Sequence, residues 1–311
     1  MRIVFFGSSE FSLPFLEYLF LERKDELWVV TCLDRPKGRG LKILPNPVKE
    51  FCLKNNLRVY QFKDINSLEA KDSLKKFEPD LFVVVAYGQI FSKEILEIPK
   101  IFSINVHASL LPKYRGAAPI NWAIINGEKE TGISIIKMEE KVDCGPIILQ
   151  KNIAIDIDDD SFTLEEKLKD LGKIILIEAI KKIEEGDFSL TIQDKRYVSF
   201  APKLKKRDGL IDWNKSAIII HNLIRGCRGW PSAFTYYKSK LLKIHKSNYV
   251  QSTGIDNYLP GEVIDISKEG ILVACGKDRI LIKKLQMEGK REMSAEEFIC
   301  GHKIAKGEIL G

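Results

Sequence analysis

Leu81-Phe82-Val83-Val84-Val85 is apolar at every position, without the polar alternation of a strand that has one face in water. A run of this kind predicts a strand covered on both faces, which is the situation in a parallel sheet wrapped by helices. Working outward, Arg2–Phe6, Leu27–Leu33, Asp80–Ala86 and Phe102–Val106 read as strands. The segments Ser12–Leu21, Pro47–Asn55 and Ser67–Phe77 between them carry helical patterns. This alternation is the order of a parallel α/β domain. Beyond Val106 come a loop, a helix over Pro119–Ile125 and strands over Gly132–Met138 and Ile147–Ile155. Leu164, Leu168, Leu171, Ile175 and Ala179 then form the apolar stripe of a long helix. Thr163 with Glu166 reads as a capping box at its start and Gly186 as its stop.

From about Gly186 to Lys206 the chain is polar and ends in the basic run Lys203-Leu204-Lys205-Lys206-Arg207, a linker pattern. One helix, Ser216–Arg225, precedes short strands at Thr235–Tyr237, Leu241–Ile244, Gly261–Asp265, Gly270–Ala274 and Ile280–Leu285, so a small barrel is expected there. With 311 residues there is room for two domains, and 45% hydrophobic with 30% charged content is that of a soluble protein. No apolar run is long enough to span a bilayer, and the short apolar opening reads as a first strand, so a cytoplasmic location is expected.

The charge is unevenly placed. Residues 203–311 hold 20 Lys+Arg against 12 Asp+Glu, net +8, while residues 1–202 hold 29 against 31, net −2. Such asymmetry suits a polyanion-facing appendage on a neutral body. The six cysteines have no Cys-x-x-Cys pair, and no disulfide framework or zinc site is expected. His221, His245 and His302 share no ligand spacing and read as structural. The acidic cluster Asp156, Asp158, Asp159 and Asp160 lacks the glycine and final glutamate of a calcium loop and reads as a solvated turn. No metal is predicted. Gly7 opens no Gly-x-Gly-x-x-Gly run, so no nicotinamide cofactor is predicted either.

The chemistry sits in Ser103-Ile104-Asn105-Val106-His107-Ala108-Ser109-Leu110-Leu111-Pro112-Lys113-Tyr114-Arg115-Gly116-Ala117-Ala118-Pro119. Asn105 and His107 share one face of a strand and lie at its carboxyl end, where open α/β sheets take their ligands. Downstream, Asp143 stands in a second glycine-closed loop, Glu139–Pro146. Singly, a strand histidine or a loop aspartate is usually structural. Together they make an acyl-transfer set: an amide donor for a developing oxyanion, a proton carrier, and a carboxylate to orient it.

Asn105-x-His107, Ser109-Leu110-Leu111-Pro112, Arg115-Gly116-Ala117-Ala118-Pro119 and Asp143-x-Gly145 resemble the 10-formyltetrahydrofolate-dependent formyltransferases, over nearly the whole chain. The resemblance implies Asn105, His107 and Asp143 as the catalytic triad and Ser109, Leu110, Leu111 and Pro112 as the formylfolate-binding turn. It also implies Val85, Tyr87 and Gly88, in Val85–Ile90, as part of a loop that holds the pterin. It implies a Rossmann-like parallel-sheet formyltransferase domain over 1–188, a linker over 189–206 and an OB-like β-barrel domain over 207–311.

The glycine-rich stretch from Asp34 to Lys49 carries Arg35, Lys37, Arg39 and Lys42 and is similar to the insertion with which family members acting on methionyl initiator tRNA grip their substrate. Ile211-Asp212-Trp213 and Arg225–Pro231 resemble the C-terminal domain of the same members, in which Lys203, Lys205, Lys206 and Arg207 suit phosphate contacts. Trp213 and Trp230 fit domain packing or base stacking equally. The implied reaction is formyl transfer from 10-formyltetrahydrofolate to the α-amine of methionyl initiator tRNA, by a monomer, in support of translation initiation. A formyltransferase acting on a small amine and a formyltetrahydrofolate hydrolase remain as alternatives. The sequence departs from the family pattern at Lys141, Cys144 and Ser8-Ser9, none of which removes a catalytic group.

Overall fold

The computed structural model describes residues 1–23, 25–37, 42–252 and 257–311. They form two compact units. The first contains Met1–Gly116, Glu130–Ile153 and Glu165–Ala201; the second contains Ala117–Lys129, Ala154–Leu164 and Pro202–Gly311.

The first unit is built on a seven-stranded sheet. Its strands are β1 (Arg2–Gly7), β2 (Glu26–Thr31), β5 (Arg58–Gln61), β6 (Leu81–Val85), β7 (Phe102–His107), β8 (Glu130–Lys137) and β9 (Ile147–Ala154), in the order β5-β2-β1-β6-β7-β8-β9. A short antiparallel hairpin, β3 (Arg35–Lys37) with β4 (Lys42–Leu44), lies outside the sheet. Pairing is parallel from β5 through β7, and β8 then runs antiparallel to β7. Every residue of β6 is buried, because this strand is central and covered on both faces. Phe6, Phe82, Tyr87 and Phe91 pack edge to face on one side of it, with ring centroids 4.9–5.5 Å from Phe6.

The covering helices are α1 (Leu13–Glu22), α2 (Pro47–Lys54), α3 (Leu68–Lys76) and the single turn α4 (Lys93–Leu96). Two of them start where side chains cap free N–H groups. Asn46 accepts from the Lys49 N–H ahead of α2, and Ser67 accepts from the Ala70 N–H ahead of α3. The long helix α6 (Ser161–Glu185) buries Leu168, Ile175, Leu176, Ala179, Ile180 and Ile183. Gly172 lies so close to the ring of Phe15 that a Cβ there would stand 2.6 Å from it. The capping box belongs to Asp160 and Thr163 rather than to Thr163 and Glu166. Asp160 accepts from the Thr163 N–H at 3.0 Å, and the Thr163 hydroxyl accepts from the Asp160 N–H at 2.9 Å. Gly186, at φ +72°, ends the helix as expected.

The second unit holds an antiparallel sheet of β10 (Ala233–Tyr237), β11 (Lys240–Val250), β12 (Val263–Ser267), β13 (Gly270–Ala274) and β14 (Arg279–Met287), ordered β10-β11-β14-β13-β12. The short β15 (Met293–Ser294) pairs with β14. Helices α7 (Ala217–Gly226) and α8 (Ala295–Gly301) close its core of Trp213, Ile220, Ile224, Leu242, Val273, Ile282, Phe298 and Leu310. Trp213 is a core residue, its indole N–H donating to Thr235 Oγ1 at 3.0 Å, whereas Trp230 is 63% exposed.

The second unit also recruits two stretches from the first 200 residues. Helix α5 (Pro119–Ile125) packs on α7 at Gly226, where a Cβ would meet Ile125 at 2.6 Å, and Asn121 donates to the Gly226 carbonyl. Arg225 donates to the carbonyls of Asp156 and Asp159, and Asp159 is 5% exposed. The acidic cluster is therefore a braced turn, not a freely solvated one. In the other direction, residues 189–201, expected as linker, pack with the first unit: Thr191 exchanges two backbone hydrogen bonds with Ile147.

The six cysteines are free thiols, and burial pushes Cys52, Cys227 and Cys275 up to about 12. Among the described residues no helix is long and apolar enough to cross a membrane.

Candidate active site

The site forms where β6 and β7 end. Val84 pairs with Asn105, so both strands reach the same level, and Gly7 stands opposite Val85 on the other side. Past Val85 the chain takes positive φ at Ala86 (+45°) and Gly88 (+91°). These two residues are exposed, while Val85 before them and Tyr87 between them are buried. Of the proposed pterin loop, then, Val85 and Tyr87 turn their side chains into the core. What the segment offers a ligand is backbone at Ala86 and Gly88. Among the described residues the Tyr87 hydroxyl finds no hydrogen-bond partner, and burial raises its pKa, so the phenol stays protonated.

Asn105, His107 and Asp143 converge. Asn105 Nδ2 lies 3.4 Å from Asp143 Oδ1, and His107 Nδ1 lies 3.5 Å from the same oxygen. The His107 and Asp143 side chains are 6% and 8% exposed. His107 Nε2 is 2.9 Å from the carbonyl of Tyr114. A carbonyl can only accept, so Nε2 carries hydrogen, and Nδ1 is the nitrogen left to take up or release a proton, facing Asp143. The second carboxylate oxygen of Asp143 accepts from the Gly116 N–H at 2.9 Å. Asp143 itself has a left-handed backbone, φ +55°, which aims its side chain back toward β7.

The turn Ser109–Pro112 is held from inside. Ser109 is fully buried and donates from its hydroxyl to the Lys113 carbonyl at 2.6 Å. Ser134 donates to the Ser109 carbonyl, and its hydroxyl accepts from the Leu111 N–H. Gln150 donates to the Leu111 carbonyl and to Ser134. Ser109 and Leu111 thus shape the turn, while Leu110 and Pro112 are the members with side-chain surface to spare. Several supporting residues lay outside the sequence reading: Ser134, Gln150, Gln193 and Ser199. Their contacts span 16 to 85 residues of chain, so no local pattern marks them.

The proposed tRNA residues fall in two places. Arg35 is exposed on β3 of the hairpin, whose register sets Lys37 opposite Lys42; Arg39 lies outside the described residues. The expected basic loop is therefore an ordered hairpin at its base. Lys203, Lys205, Lys206 and Arg207 are exposed in the second unit, around a turn fixed by Asp208 accepting from the Lys205 N–H. Among the described residues no group of three or more His, Cys, Asp or Glu side chains could hold a metal ion.

Residues 1–180 match the model of the formyl transferase family, and residues 203–303 match that of the formyl transferase C-terminal domain. The chain belongs to the formyl transferase family. This formyl transferase is 45% identical to the methionyl-tRNA formyltransferase of Acetivibrio thermocellus and 47% identical to that of Caldanaerobacter subterraneus subsp. tengcongensis. In both cases all 311 residues align and the whole of the relative is covered. Among solved structures, the N-formyltransferase from Helicobacter canadensis, in complex with folinic acid and dTDP-3-aminofucose, superposes with a TM-score of 0.68 at 20% identity. That match covers 91% of this chain and 99% of the other. HypX from Aquifex aeolicus, in complex with tetrahydrofolic acid, superposes with a TM-score of 0.63 at 15% identity, over 96% of this formyl transferase and 47% of HypX. These two likenesses establish a shared fold. The formyl transferase assignment agrees with a mixed, largely parallel sheet followed by an antiparallel β unit.

Proposed function

We propose that this protein transfers the formyl group of 10-formyltetrahydrofolate to the α-amine of methionine on initiator tRNA, giving N-formylmethionyl-tRNA for translation initiation. The convergence of Asn105, His107 and Asp143 at the carboxyl end of β7 carries this reading. Full-length relatives named for methionyl-tRNA support the choice of acceptor. So do the exposed Arg35 and the cationic run 203–207.

The residues present fit a folate. Ala86 and Gly88 expose backbone at the end of β6, and none of the described residues lies within 4 Å of where a Gly88 Cβ would stand, which leaves room for a flat heterocycle to approach the chain. Bound there, the folate supplies a formyl carbonyl activated on its N10. Asn105 Nδ2 donates to the oxygen of the carbon under attack as negative charge builds on it. His107 Nδ1 and the Asp143 carboxylate hold the proton released by the attacking amine and return it on the leaving side. Gly116 N–H and Tyr114 C=O keep the carboxylate and the imidazole from turning away. The exposed cations bind tRNA phosphates. The protein acts as a cytoplasmic monomer.

The test is to mix the purified protein with 10-formyltetrahydrofolate and methionyl initiator tRNA, with a tRNA-free control, and to follow formylmethionyl-tRNA and released folate. Formylated tRNA with little folate release in the control is expected. Folate release without tRNA would turn the reading to a hydrolase. Silence in both arms would turn it to a small-amine acceptor.

A further inference from the structure

Asp143 reaches its partners across distances at the outer edge of hydrogen bonding, 3.4 Å to Asn105 and 3.5 Å to His107. Those contacts do not fix where the carboxylate sits. The 2.9 Å bond from the Gly116 N–H and the Asp143 backbone do, and that backbone is in the left-handed region, which persists in a non-glycine residue where the surroundings impose it.

The imposing group is the side chain of Gln193, 5% exposed. Its Nε2 donates to the Asp143 carbonyl at 2.9 Å and to the Gly145 carbonyl at 2.7 Å, bracketing Cys144. Its Oε1 accepts from Arg115 Nε at 3.1 Å and Arg115 Nη2 at 2.7 Å. A guanidinium only donates and a carbonyl only accepts, so the amide has one possible orientation. Arg115 also donates from Nη1 to Cys144 Sγ at 3.0 Å. The residue after Arg115 is Gly116, whose N–H holds the Asp143 carboxylate. The circuit thus closes: Asp143 backbone to Gln193, Gln193 to Arg115, Arg115 through one peptide to Gly116, and Gly116 back to the Asp143 side chain. Gln193 is itself fixed from behind by the paired backbone bonds between Thr191 and Ile147.

We infer that Gln193 is a positioning residue for formyl transfer, setting the location of Asp143 without touching substrate. The inference rests on the proposed function, in which Asp143 handles the proton. Misplacing a reacting group by about 1 Å costs on the order of 10²-fold in rate.

Gln193→Met keeps the volume and removes all four bonds to the amide. In the methionyl-tRNA assay it is expected to lower kcat about 30- to 100-fold while KM for tRNA and folate stays within about twofold. A residue acting through Asp143 has nothing to act on once that carboxylate is gone. In an Asp143→Ala background, with single-turnover rates measured at excess enzyme, adding Gln193→Met should therefore change the rate less than about threefold. Should Gln193→Met fail to fold, Gln193→Asn retains donor and acceptor on a shorter stem. It should show a smaller kcat loss that likewise vanishes without Asp143. A kcat within about threefold of wild type, or an equal loss with and without Asp143, would overturn the inference. An inactive wild-type protein would instead overturn the proposed function.

Discussion

Gly145→Ala probes the same loop through sterics alone. A Cβ built on Gly145 would lie 1.7 Å from the Lys137 carbonyl oxygen, and real Cβ contacts essentially never fall under 3.0 Å. Reaching that limit requires a movement of about 1.3 Å. The Lys137 carbonyl is poorly free to yield, because it belongs to β8 and the Lys137 N–H is bonded to the Pro146 carbonyl at 3.0 Å. The strain therefore passes into residues 143–145. Asp143 already contacts Asn105 and His107 at 3.4 and 3.5 Å, so a retreat of that size takes it out of hydrogen-bond range of both. The expected result is a kcat lowered on the order of 10²-fold, from misplacement. Overpacking should also remove about 1–3 kcal/mol of stability. The assay pairs formylation kinetics with thermal unfolding, and Gly301→Ala, with nothing within 4 Å of its added methyl, serves as the control. The control should keep its kcat and shift stability by no more than about 1 kcal/mol. A Gly145→Ala enzyme with kcat within threefold of wild type would refute the chain of reasoning from backbone contact to carboxylate position.

Three further outcomes are expected. Asn105→Ala should lower kcat by on the order of 10²–10³ with binding of both substrates nearly unchanged, read from steady-state kinetics, because a donor to developing charge is lost. Replacing Lys203, Lys205, Lys206 and Arg207 together by Ala should weaken tRNA binding and flatten the plot of log K against log salt by about 3 units if all four meet phosphates; an unchanged slope would remove them from the interface. His221 is buried between Ser247 and the Ile157 carbonyl, and burial, the largest influence, holds its pKa below the ordinary 6.5. The folded state then binds fewer protons than the unfolded one, so stability from the neutral imidazole is full above pH 6.5 and falls as pH drops through the lowered value. Melting curves from pH 7.5 to 5 should show this decline, shallower in His221→Gln, and a decline of equal steepness in the variant would assign it elsewhere.

Much of the first unit is legible locally. Strands such as Leu81–Val85 announce themselves because a strand buried on both faces has no polar positions to tolerate. The edge strand Arg58–Gln61 leaves no clear mark in the sequence, because it is only half buried and Arg-Val-Tyr-Gln carries little apolar signal. Helix α8 is faint for a similar reason: its seven residues begin Ala-Glu-Glu, and only the Ser294–Glu297 capping box marks it. The change of pattern along the chain points to a division into 1–188 and 207–311. It does not show that α5 and the turn 154–164 find their packing and hydrogen-bond partners on α7, across separations of 105 and 69 residues.

The side chains proposed to react are legible in the order of the chain. Asn105 and His107 share a face because strand geometry repeats every two residues, and Asp143 is marked by the glycine and proline that close its loop. The tertiary structure alone decided how those groups are held. Which nitrogen of His107 is free depends on the Tyr114 carbonyl, and where Asp143 stands depends on Gln193, 50 residues away. It also turned Val85 and Tyr87 inward, leaving Ala86 and Gly88 exposed. Chemical capacity is a property of side-chain type and can be read from the chain in order. Position at the scale of a fraction of an ångström comes from contacts between distant segments, which only the folded chain brings together.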